Sequence, residues 1–324
     1  LKGTDPVGMT GCIDSEKVHF MSTFLGEKKV QLVVTYSEQR AREIEEDYKL
    51  FCSQVYVIPP RDLIFFSADL QGNAIIAERM KAFAALYQNE AKVIITTMDA
   101  LMTQAVPFEQ LMSHVIKLKE GDELDLEKLK HDLTVMGYER VGRVEEPGQF
   151  TVHGGIADVY PLTMEVPVRI ELWGDEIDSI RSFDPESQRS LENLEELTIY
   201  PAVEHIGDKD MVSFLDYFPE ERTIIFLDEP NRLTEKGGAV EEEYRQSRMH
   251  REEKGSRNLP ENWLCSFEQL QKELNKRNCI SVCALEPKQA GWKVREKFYL
   301  EVKSISAYNN SFELLIKDLK RYKK

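Results

Sequence analysis

Two stretches of the chain carry the residue types that nucleotide chemistry uses. Gly8–Lys17 (GMTGCIDSEK) sets glycines and a lysine close together. A phosphate-binding loop needs Gly-x-x-x-x-Gly-Lys-Ser/Thr, so that backbone N–H groups and the lysine surround the phosphates. The Gly-Lys-Ser/Thr core is missing here, and Asp14 and Glu16 stand where they would repel a phosphate. The stretch reads as an ordinary loop leading into a helix. Ile224–Glu229 (IIFLDE) is an apolar run ending in Asp-Glu. That is the form of a strand whose acid holds Mg²⁺ in phosphoryl transfer. With no phosphate loop there is no nucleotide for a metal to bridge, so this motif reads as vestigial or coincidental. The five cysteines (12, 52, 265, 279 and 283) contain no Cys-x-x-Cys pair and read as reduced, mostly buried thiols. The six histidines (19, 114, 131, 153, 205 and 250) form no ligand pair at helical or hairpin spacing. No catalytic residue, metal site or cofactor is expected.

The most informative segment is Val166–Phe183 (VPVRIELWGDEIDSIRSF), which reads as a hairpin turning at Gly174-Asp175. Alternate residues of a strand face opposite sides. Val168, Ile170 and Leu172 then face a core, and Arg169, Glu171 and Trp173 share the other face. Trp and Arg are the residues most enriched at interface hot spots, so an outward Trp beside an Arg suggests a docking surface. The competing reading has another part of the chain covering Trp173.

These residues need elements to hold them. The 324 residues suit two or three domains, with 42% hydrophobic and 31% charged content. Up to residue 116, strand runs at Val30–Thr35, Val55–Ile58 and Lys92–Thr97 alternate with helical stripes at Glu38–Phe51 and Asn73–Tyr87, which predicts a parallel sheet with crossover helices. A helix is expected from about Asp125, with Leu126, Leu129, Leu133 and Met136 on one face and Gly137 as its stop. Strands and turns dominate Tyr138–Tyr200. Beyond about Glu204 the α/β texture returns, with strands at Thr223–Leu227 and Cys279–Ala284, a charged and solvated helix over Glu235–Arg257, and a closing helix over Tyr308–Lys324. The expected fold is α/β: a parallel-sheet domain formed by 1–116 and 204–324, with 117–203 inserted as an α+β domain of antiparallel hairpins.

Net charge is −15, and between Lys117 and Val203 nine Lys and Arg face twenty Asp and Glu, a net −11. Nucleic-acid binders generally present a basic face, so this charge argues against DNA contact. No apolar run approaches a membrane span, and no charged-then-apolar leader is present, so a cytoplasmic location is expected. The chain begins at Leu1, as a piece of a longer protein would.

Pro147–Pro161 (PGQFTVHGGIADVYP) and Val166–Ser190 (VPVRIELWGDEIDSIRSFDPESQRS) together resemble the domain shared by the excision-repair helicase UvrB and the bacterial transcription-repair coupling factors. The flanking segments, including Ala77-Glu78-Arg79 and Thr96–Leu101, match more loosely but in order. Two departures point to the coupling factors: the lost phosphate loop, and the short, Tyr-free Pro59–Glu78, where UvrB carries a Tyr-rich hairpin that threads damaged DNA. The resemblance implies a degenerate RecA/helicase-like domain whose inserted module recruits the repair protein UvrA. It implies a parent that is an ATP-dependent translocase meeting RNA polymerase and double-stranded DNA through other domains. It carries a UvrA-binding role onto Arg169 and Trp173. His153 stands where the family has an Arg, and it lacks that residue's bidentate fork. Glu171 lies on the same face as Arg169 and Trp173. The alternatives are a nucleotide-dependent helicase fragment of the UvrB type and a damaged-DNA binding module.

Overall fold

The computed structural model describes residues 6–13, 15–26, 29–61, 70–204, 211–253, 263–286, 291–300, 308 and 311–323. Asp14, His205 and the middle of Pro59–Glu78 lie outside them. Among the described residues a seven-stranded sheet runs in the order Glu296–Tyr299, Val7–Thr10, Cys279–Cys283, Thr223–Asp228, Val30–Thr35, Val93–Thr97, Val55–Ile58. Every neighbouring pair is parallel.

A parallel strand covered on both faces reads as an unbroken apolar run, because both sets of alternate residues are buried. Leu32, Val34, Ile94, Ile225 and Leu227 enter one core, together with Met80 and Phe83 of the Leu70–Tyr87 helix and Leu270 and Leu274 of the Phe267–Leu274 helix. Val33, Ile95 and Phe226 enter the opposite core, with Val18 and Met21 of the Ser15–Ser22 helix and Ala41, Ile44 and Tyr48 of the Glu38–Tyr48 helix.

The inserted module leaves this sheet through Ile116–Lys119 and returns through Glu196–Ile199, and the two pair antiparallel. Its incoming and outgoing ends therefore lie side by side, so a whole module fits between two parts of one sheet. Inside it a six-stranded sheet runs in the order Ser190–Asn193, Glu176–Phe183, Val168–Trp173, Ile156–Val159, Gln149–His153, Glu139–Arg140. All pairs are antiparallel except the last. One face of this sheet packs on the Leu126–Val135 helix through Leu129 and Leu133. Asp125 caps that helix, its carboxylate accepting from the backbone N–H groups of Glu127 and Lys128 at 2.9 and 3.2 Å. Gly137 follows at φ +86°, and a Cβ there would lie 2.4 Å from Val203 Cγ1. Among the described residues no helix is long and apolar enough to cross a membrane.

Three elements differ from the sequence reading. Val7–Thr10, which overlaps the stretch read as a loop, is a strand of the large sheet paired on both edges. The charged helix starts earlier, spanning Pro230–Glu253, and it is not solvated all round. Leu233 and Tyr244 are buried, and Gly237 lies against Phe267 so closely that any Cβ would overlap the ring. A strand at Glu296–Tyr299 forms one edge of the large sheet, although its residues are exposed and show no apolar run.

The two parts of the chain are fastened where the module ends. Arg79 is 0% exposed. Its Nε and Nη2 donate to the Glu204 carboxylate at 2.5 and 3.0 Å and its Nη1 to the Pro59 carbonyl at 2.6 Å. Its guanidinium also lies over the rings of Phe83 and Phe214. Removing one member of a buried ion pair leaves an uncompensated charge and costs about 3–5 kcal/mol. Glu204→Ala, which strips both Arg79 and Arg61 of their acid, should lower unfolding free energy by about that amount in urea denaturation, and Arg79→Ala by less, because Arg61 Nη1 still lies 3.5 Å from Glu204. The Arg79→Met/Glu204→Leu pair should cost less than the sum of the single changes. A loss below about 1 kcal/mol in both single variants would show that the clamp does not hold the two parts together.

Candidate partner-binding face

The outer face of the inserted sheet brings together all four residues singled out on it from sequence. Strand pairing sets its rows. His153 lies opposite Ile156, Ile156 opposite Glu171, and Glu171 opposite Ser179. The next row runs Thr151, Asp158, Arg169, Arg181. Trp173 ends its strand and pairs with Glu176 across the Gly174-Asp175 turn, where Gly174 takes φ +67°. Val168 and Ile170 point the other way into the core, and Leu172 is partly buried against it.

The return strand does not alternate strictly, since Ile177 and Ile180 are three residues apart, yet both are buried. The register shifts between Glu171 and Leu172, which pair with Ser179 and Ile177 and leave Asp178 without an opposite number. One extra residue on one strand is a β-bulge. It lets both isoleucines reach the core while Ser179 and Arg181 stay on the outer face.

Trp173 is 84% exposed. A Trp that forgoes burial of its 150–250 Å² gives up on the order of 3–5 kcal/mol of apolar transfer. Ile156, on the neighbouring strand, is 39% exposed. His153 is exposed as well. Arg169 differs from the freely accessible cation that strand alternation alone suggests, since its side chain is only 23% accessible. Its Nε and Nη2 donate to the two oxygens of Asp158 at 2.7 and 2.8 Å, Nη2 also to Gln188 Oε1 at 3.2 Å, and the guanidinium stacks 4.7 Å from the Phe183 ring centroid. The hydrogen bonds to Asp158 hold the Arg169 pKa above its ordinary value against the opposing effect of burial. Glu171 is likewise paired, with Arg181.

The face is therefore a strand surface with two internal ion pairs and, among the described residues, an exposed indole at its edge. Asp158 and Arg181 were not singled out from sequence, because their roles depend on cross-strand register. The only local signal was their place within the two motif runs. Among the described residues no group of three or more His, Cys, Asp or Glu side chains is arranged to hold a metal ion. What this geometry presents to solvent is apolar area beside charges whose positions are fixed by internal pairing.

Comparison with known proteins points to the same module. Residues 116–205 match the family described as UvrB interaction domain. The chain is 33% identical over 216 residues, 66% of its length, to the transcription-repair-coupling factor of Staphylococcus haemolyticus (strain JCSC1435), covering 18% of that protein. It is 34% identical over 214 residues to that of Staphylococcus aureus (strain USA300), again covering 18% of it. The chain thus spans under a fifth of the length of the curated relatives it matches.

Exposed and core positions of one strand should separate cleanly by stability. Trp173→Ala should leave unfolding free energy within about 0.5 kcal/mol of the parent. Ile170→Ala, two residues before the bulge-paired Leu172, should cost about 2–5 kcal/mol by opening a cavity. Urea titrations of both variants measure this, and equal losses would place Trp173 in the core.

Proposed function

We propose, from the premise that this chain is similar to the UvrB-like region of bacterial transcription-repair coupling factors, that it is an adaptor docking UvrA through the outer face of its inserted sheet. The observation that carries this reading is Trp173, an indole at a strand end that is 84% exposed among the described residues. Interface anchors are aromatic and Arg residues ringed by polar contacts, and Trp173 with Arg169, His153, Glu171 and the paired acids around them has that composition. Arg169 acts in this reading as a cation whose direction Asp158 already fixes, so little side-chain entropy remains to be lost on binding.

The same reading makes the fragment non-enzymatic and free of cofactors. Its parent, by this similarity, is an ATP-dependent DNA translocase of the cytoplasm. That parent meets RNA polymerase and double-stranded DNA through other domains, and this region brings UvrA to the stalled polymerase in nucleotide excision repair. The acidic module, at net −11 over 117–203, has no field to attract a phosphate backbone, which supports a protein partner over damaged DNA.

The test is a titration of purified UvrA against the chain and its variants. Trp173→Ala and Arg169→Ala should each weaken binding by about 2 kcal/mol, roughly thirtyfold, without loss of fold. His153→Ala should cost less, because a neutral imidazole has no full charge to lose. Undiminished UvrA affinity in folded Trp173→Ala, or absence of UvrA binding by the parent chain, rules the proposal out.

A further inference from the structure

The two nucleotide-like stretches of the sequence meet in space. Asp228 closes the Thr223–Asp228 strand, and Glu229 follows it at φ +54°. This is the carboxyl edge of a parallel sheet, where open α/β folds bind their ligands. Lys17 lies in the Ser15–Ser22 helix, which follows the Val7–Thr10 strand. Its side chain is 6% exposed, and its Nζ stands 2.7 Å from Asp228 Oδ1 and 2.6 Å from Glu229 Oε1. Asp228 Oδ2 and Glu229 Oε1 have further donors. Thr35 Oγ donates to Asp228 Oδ2 at 2.9 Å, and Arg40 Nε approaches the same oxygen at 3.4 Å while its Nη1 holds Glu43 at 3.0 Å. The backbone N–H of Ala284 donates to Glu229 Oε1 at 2.8 Å.

A magnesium nucleotide does not fit these residues. The strand-end carboxylates that would face a divalent cation are already bridged by an ammonium, and no Gly-Lys-Ser/Thr turn precedes the helix. We infer that Lys17 is an internal counter-ion standing in the place of a divalent cation, so that this edge of the sheet is closed by the chain itself and holds its shape without any ligand. Burial disfavours a charged amine, but Asp228 and Glu229 outweigh it and hold the Lys17 pKa above its ordinary value, so the stand-in remains a cation. The inference does not depend on the adaptor reading, since it concerns the opposite part of the molecule.

Thermal unfolding of the whole chain in a MnCl₂ series tests it. Wild-type protein should show no saturable shift of its midpoint with MnCl₂ or with Mg-ATP. Lys17→Met leaves two neighbouring carboxylates unbalanced and should lower the midpoint by several degrees. Millimolar MnCl₂ should recover part of that loss saturably, and adding Asp228→Asn to Lys17→Met should remove the recovery. A saturable shift in wild-type protein, an unchanged midpoint in Lys17→Met, or a folded Lys17→Met blind to MnCl₂ each overturns the inference. If Lys17→Met is insoluble with and without MnCl₂, Asp228→Asn alone decides: a lowered midpoint supports the internal counter-ion, and an unchanged one overturns it.

Discussion

A parallel sheet cannot finish itself from neighbouring sequence, and most of this structure follows from how that difficulty is met. Val30–Thr35 lies in the middle of the large sheet, between Val93–Thr97 and Thr223–Asp228. One of its neighbours is close in sequence, and the other lies beyond the entire inserted module. Helices that precede the module already lie against both faces of this strand, but one of its two hydrogen-bonding edges stays unsatisfied until the chain has left, built the module and returned. Such pairings are of high contact order, so the return must be made cheap in entropy. The antiparallel pair of Ile116–Lys119 with Glu196–Ile199 does this by bringing the two ends of the module together. Buried Arg79 then fixes Glu204, the residue at which the chain comes back.

That arrangement leaves the module's outer sheet face free of any duty to the large sheet. Its inner face has a helix and a closed core, so the outer face needs only enough order to keep its shape. The two ion pairs, Arg169 with Asp158 and Arg181 with Glu171, supply that order from within. The Arg181–Glu171 pair is about a third exposed and contributes little to stability. The effect of the two pairs is geometric: they fix the directions of long side chains that would otherwise sample many rotamers, on the strand that ends in Trp173.

The legible parts of the sequence were those where burial dictates residue type. The runs at Val30–Thr35, Val55–Ile58 and Val93–Thr97 are buried on both faces and can be little else than strands of a parallel sheet. The alternation around Trp173 was readable because one face of that strand is core and the other is not. Glu296–Tyr299 was not readable, because an exposed edge strand imposes no apolar pattern. The partnership of Arg169 with Asp158 was hidden for another reason: it depends on which residues of two strands lie opposite, and the hairpin lengths that set register are not written in residue type. The bulge at Asp178 belongs to the same class, visible only as two isoleucines spaced by three.

Lys17 and Asp228 show the sharper form of that limit. Taken singly, a loop without its Gly-Lys-Ser/Thr core and a strand end without its loop each read as a remnant with nothing to do. Their meaning lies in the distance between them, which only the fold supplies. An unpaired carboxylate pair at a sheet edge would be costly to bury, so a chain that lacks a phosphate loop must either lose those acids or neutralise them from within. This chain retains Asp228 and Glu229 and places an amine against both. The acids act as struts joining the Ser15–Ser22 helix to the end of the Thr223–Asp228 strand. The large sheet can then keep its edge closed with no bound ligand, and in the adaptor reading proposed above it carries the module that docks.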